Sequence, residues 1–153
     1  MTLTFEPQCA AKLPETLTLI EAGGLIVPPG IIMITVHGSR GPAGGYRPDS
    51  DLDLCFVLAP ELEPESRLCR EILTQTLSSW QGDVEADLAV VFDKPGCGLD
   101  CFKKPGFAEV SCNSNGVGCL GLYKIQKGFT GFVDSYTIDV KQMYPYLTIW
   151  RKK

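Results

Sequence analysis

The sequence predicts an α/β (α+β) fold, a small sheet with helices packed on it, and three observations lead there. Short apolar runs rich in branched residues recur at Ile31–Val36, Leu52–Leu58 and Val84–Phe92, as buried strands do. Between the second and third lies Glu65–Trp80, where Leu68, Ile72, Leu73 and Leu77 repeat at helical spacing. Segments rich in Gly and Pro separate these stretches.

The elements follow in chain order. Residues 7–22 hold a helix after Pro14, ended by Gly23-Gly24. Val27-Pro28-Pro29-Gly30 is a turn, and Ile31–Val36 is the first strand. Gly38–Pro48 contains four glycines and two prolines, so it is a loop or a very short helix. Leu52–Leu58 is the second strand, Pro60–Pro64 breaks the chain, and Ser66 stands where a cap would open the next helix. Val84–Phe92 is the third strand. Beyond Pro95 a long Gly-, Cys- and Lys-rich connection follows. Leu120–Lys127 reads as a short helix ending at Gly128, Phe129–Val133 as a strand, and Tyr136–Trp150 as one or two strands interrupted at Pro145. Internal repeats and low-complexity segments are absent from the sequence.

Composition sets the class. With 153 residues, 44% of them hydrophobic and 21% charged, the chain reads as one globular domain, 1–153, with a core of its own. No apolar run approaches the length that spans a bilayer. The N-terminus lacks a basic start followed by an apolar stretch, so no signal peptide is expected. The expected location is cytoplasmic, with the seven cysteines reduced. Charge is uneven: residues 1–93 carry 14 acidic against 5 basic side chains, and residues 94–153 carry 4 against 9. No basic stripe interleaved with aromatics marks a nucleic-acid surface.

The chemistry concentrates between His37 and Leu58, HGSRGPAGGYRPDSDLDLCFVL. A Gly-Ser turn, Gly38-Ser39, closes the first strand, and a tight glycine turn there can hold a phosphate with backbone N–H groups. Eleven residues, Arg40 to Ser50, separate this turn from Asp51, and Asp53 follows two positions on. Two aspartates at i and i+2 on a strand share a face, about 6.6 Å apart along the backbone. Leu52, Leu54 and Phe56 then form the opposite face, which is core. Such a carboxylate pair can hold hard divalent cations against phosphates.

The order apolar strand, Gly38-Ser39-Arg40, then Ser50-Asp51-Leu52-Asp53-Leu54 resembles the signature of the DNA polymerase beta-type nucleotidyltransferase superfamily, and within it the minimal nucleotidyltransferase branch. The signature covers residues 31–58, and a weaker likeness runs to about residue 133. The resemblance implies a small mixed β-sheet with helices on one side, the nucleotidyltransferase fold. A catalytic core would span about 25–95 and a C-terminal extension about 96–153. The implied reaction moves a nucleoside monophosphate, AMP from ATP, to an acceptor. Asp51 and Asp53 would bind two magnesium ions. Asp87, in VEADLAVVF, would be the third catalytic and metal-binding carboxylate, with Glu85 as its competitor on the same strand face. Gly38 and Ser39 would hold phosphates. Arg40 would pair either with a phosphate or with a nearby aspartate, and Ser50 would contact nucleotide or orient the Asp51 loop.

His37 is the lone histidine, which excludes a His-rich metal site, and it reads as a core or turn residue, with a base role as the alternative. Cys97, Cys101, Cys112 and Cys119 could supply four thiolates to zinc, but their x3 and x6 spacings lack the tight x2 pairs of such sites. Minimal members resemble antitoxins that adenylylate a HEPN-type toxin, so the expected acceptor is a partner protein. The alternatives are an oligomeric small-molecule, aminoglycoside-type nucleotidyltransferase, and a non-catalytic protein that neutralises its partner by contact.

Overall fold

The computed structural model describes residues 3–59, 66–94, 97–98, 122–128, 131–135 and 145–153. Two short helices come first, α1 (Pro7–Lys12) and α2 (Pro14–Gly23). Each opens on a proline, whose missing N–H would have had no helical acceptor in the first turn. Gly24, at φ 68°, takes the left-handed conformation that ends α2. The sheet strands are β1 (Ile31–His37), β2 (Leu52–Leu58), β3 (Ala86–Lys94), β4 (Cys97–Gly98), β5 (Leu122–Gly128), β6 (Gly131–Ser135) and β7 (Leu147–Arg151). Helix α3 (Ser66–Ser79) lies between β2 and β3.

The strands form one mixed sheet in the order β6-β5-β3-β2-β1-β7, with β4 paired to β3 off that path. β2 and β3 run parallel and the remaining neighbours antiparallel. A parallel pair needs a crossover, and α3 supplies it. The β2–β3 register sets Leu52 beside Ala86, Leu54 beside Leu88 and Phe56 beside Val90. These residues share one face with Ile34, Val36, Leu147 and Ile149. Cys9 of α1, Ile20 of α2 and Ile72 and Leu77 of α3 complete the same core cluster. The helices therefore cover one side of the sheet. The other face of β1–β3 carries Thr35, Cys55, Val57 and Ala89, also buried.

Two sequence expectations change. The first helix pair begins at Pro7 rather than after Pro14, because Cys9 is fully buried and α1 is tied to β7: Gln8 Nε2 donates to the Thr148 carbonyl at 2.7 Å, and Glu6 N–H to the Ile149 carbonyl at 2.7 Å. The helix expected at Leu120–Lys127 is instead strand β5. Its backbone pairs with β3 from Leu122 to Gln126, so a sheet edge in need of a partner outweighs local preference. The strand expected at Phe129–Val133 runs from Gly131 to Ser135. Residues 136–144 of the last expected strands, and Cys101, Cys112 and Cys119 of the zinc alternative, lie outside the described residues. Among the described residues, no helix is long and apolar enough to cross a membrane.

Trp80 locks α2 to the turn before β3. Its indole N–H donates to the Val84 carbonyl at 2.8 Å, and the Gln81 N–H donates to the Gly23 carbonyl at 2.8 Å. A Cβ on Gly23 or on Gly82 would fall within the Trp80 ring. Gly23→Ala should therefore cost about 1–3 kcal/mol through overpacking, read by urea unfolding followed by tryptophan fluorescence. An unchanged midpoint would mean the indole has room that this packing denies it.

Candidate metal centre

The site begins with strand alternation. With even-numbered residues of β2 and β3 in the core, Asp53 and Asp87 must face the other way. Register then brings them level: Asp53 lies beside Asp87 on one side and beside His37 on the other. Asp51 stands two residues before Asp53, just ahead of β2. One carboxylate oxygen from each of Asp51, Asp53 and Asp87 lies within 4.8 Å of the other two. Asp87 is buried, at 5% exposure, while Asp51 and Asp53 are half-buried. Like charges this close repel, and a divalent cation between them removes the repulsion. Three hard oxygen donors converging on one point suit such an ion, so these residues could hold one.

Glu85 stands two residues before Asp87, one step away along the strand. Its carbonyl accepts the Leu52 N–H at 2.9 Å, which starts the β2–β3 ladder. Among the described residues, Asp87 rather than Glu85 joins the other two carboxylates.

Gly38 closes β1 at φ 71°. A Cβ there would land on the Asp53 carboxylate at Oδ2, so the glycine gives both the turn and the room for Asp53. The Gly41 N–H returns to the Gly38 carbonyl at 3.0 Å, and a Cβ on Gly41 would press on the His37 backbone at 2.8 Å. Two glycines thus fold the turn tightly against the end of β1. Half-buried Ser39 sits within it.

Arg40 contacts its own loop, which neither sequence expectation named. It is buried, and its guanidinium is committed to backbone carbonyls: Nε donates to Ser50 at 2.8 Å, and Nη2 to Arg47 at 3.3 Å and Pro48 at 3.2 Å. The guanidinium also stacks on the Tyr46 ring, 4.7 Å from its centroid. Ser50 organises the same loop. Its hydroxyl accepts the Arg47 N–H at 2.8 Å, and its own N–H donates to the Arg47 carbonyl at 2.9 Å.

His37, set aside in the sequence as a core or turn residue, is buried in register with Asp53 and so belongs to the carboxylate row. Counting alternation back from Val36, a core position, would have put it there. Cys55, next along the same face, lies outside the group of three carboxylates. Burial pushes its thiol above the usual range.

No protein-family model matches the chain, and no curated protein matches it. The functional reading therefore rests on the residues and their arrangement.

Gly38→Ala tests how closely turn and carboxylate depend on each other. The left-handed backbone alone should cost about 1–3 kcal/mol, and the new methyl should displace the Asp53 carboxylate. Manganese should raise the melting temperature of the native chain through selective binding to the folded state. That rise should be much smaller in the variant. An equal rise in both would show that Gly38 does not hold Asp53 in place.

Proposed function

We propose that the protein is a divalent-metal-dependent nucleotidyltransferase, transferring AMP from ATP to an acceptor with release of pyrophosphate. The observation that carries this reading is the convergence of Asp51, Asp53 and Asp87 beside a Gly38 turn that packs on Asp53. The order of turn and carboxylates in the sequence supports it through the resemblance to minimal nucleotidyltransferases.

The roles follow from donor chemistry. Asp51, Asp53 and Asp87 would hold magnesium, which when bound neutralises phosphate charge and orients the attacking and leaving oxygens. Ser39 can donate its hydroxyl to a phosphate oxygen, and the glycine turn lets the phosphates approach the backbone. Asp87, the most buried of the three, would either accept the acceptor's proton on a carboxylate oxygen or hold the second metal. Arg40 is given no phosphate contact in this reading, because its Nε and Nη2 donate to loop carbonyls. Positioning and charge neutralisation then account for the rate. The acceptor in this reading is a hydroxyl on a partner protein of the HEPN toxin type, and the chain acts as its antitoxin.

ATP binding should need a divalent ion, because carboxylates and phosphates otherwise repel. Calorimetry with magnesium and then with a chelator checks this, and equal affinity would remove the metal bridge. Transfer of label from α-labelled ATP to the product of the neighbouring gene tests the reaction. Asp87→Asn should slow that transfer at least tenfold, about 1.4 kcal/mol of barrier, while Glu85→Gln should change it little. The reverse ranking would move the third carboxylate to Glu85.

A further inference from the structure

Of the three carboxylates, two owe their places to the sheet. Asp53 and Asp87 lie within strands, level with each other through the β2–β3 register. Asp51 does not. It precedes β2, whose first residue is Leu52, so its position depends on the loop that leads into it. That loop begins at the Gly38 turn. It includes Gly44 and Gly45 at positive φ, with open space around both. A segment with this much glycine has much conformational freedom to lose. The Arg47–Asp49 ion pair within it is exposed on both sides and adds little order.

The ordering element is Arg40. It is a buried cation whose Nε and Nη2 donate inward to the loop, at Ser50, Arg47 and Pro48. The Nε bond joins the loop's first turn to the residue directly before Asp51. The backbone of Arg40 is anchored in turn. Buried Thr16 of α2 donates its hydroxyl to the Arg40 carbonyl at 2.7 Å. A continuous path thus runs from a helix in the core, through Arg40, to the neck of the loop beside Asp51. The planar fork holds its donors at fixed, spread positions, and a lysine, whose three donors leave one compact nitrogen, does not reproduce that geometry.

We propose that Arg40 is a positioning residue for the metal centre, fixing Asp51 against Asp53 and Asp87 by closing the loop at Ser50. This role deepens the metal-site reading above and rests on it. It differs from a phosphate contact in a measurable way: it acts before any nucleotide arrives.

The test is manganese binding in the absence of nucleotide, read from the paramagnetic signal of the free ion, with folding followed by circular dichroism. Arg40→Lys should weaken manganese binding at least about tenfold, the scale on which outer partners of metal ligands act. Asp51→Asn should weaken it comparably, and the double variant should bind no worse than Asp51→Asn alone, because Arg40 acts through Asp51. Native affinity in folded Arg40→Lys, or losses that add in the double variant, would overturn the proposal. Should Arg40→Lys fail to fold, Thr16→Val loosens the same path while leaving the guanidinium. A several-fold loss in that variant supports the role, and native affinity refutes it. A native chain that takes up no manganese defeats the metal-site reading itself, a result distinct from either.

Discussion

The structure depends on the register between β2 and β3. Seven consecutive residues of each strand stand side by side, from Leu52 beside Ala86 to Leu58 beside Phe92. The pairing is parallel, so no turn fixes it. The hydrophobic pattern and the α3 crossover must. On the helix side the register stacks Leu52, Leu54 and Phe56 on Ala86, Leu88 and Val90 and seals the core. On the other side it places Asp53 beside Asp87. A slip of β2 by one residue would send its leucines outward and Asp53 inward, away from Asp87. The apolar energy of the core therefore enforces the spacing of the charged site, and the repulsion between the carboxylates is sustained by packing on the opposite face.

The site divides into parts held by different forces. Asp53 and Asp87 are held by backbone ladders, the most rigid support the fold offers. Gly38 and Gly41 are held by close backbone approach, where any side chain would collide with Asp53 or with the His37 main chain. Asp51 is held by a loop whose order comes from one buried guanidinium. Rigid and adjustable supports thus meet at one point. The covering helices lie on the far side of the sheet from the carboxylates.

The sequence disclosed the elements whose cause is local. Alternation and apolar runs located β1, β2 and β3 closely, and helical spacing located α3. The face that Asp53 takes also follows from alternation alone. What stayed hidden depends on partners distant in sequence. The segment at β5 has a composition that suits either state, and the free edge of β3 decided for strand. The six residues of α1 carry too short a pattern to recognise, and their place is fixed by β7, some 140 residues on, through Gln8 and Thr148. In the sequence Arg40 reads equally as a phosphate ligand or as the ion-pair partner of a nearby aspartate. Its loop carbonyls claim it only once the chain has turned back on itself. The choice between Asp87 and Glu85 rested on register, which two strands define together and neither defines alone.

The central claim is that the three carboxylates form one divalent-cation site. Crystals of the protein soaked in manganese, with anomalous scattering recorded near the manganese edge, test it most directly. The account predicts an anomalous peak bounded by oxygens of Asp51, Asp53 and Asp87. A crystal without such a peak at saturating manganese, or with its peak on other carboxylates, would contradict it.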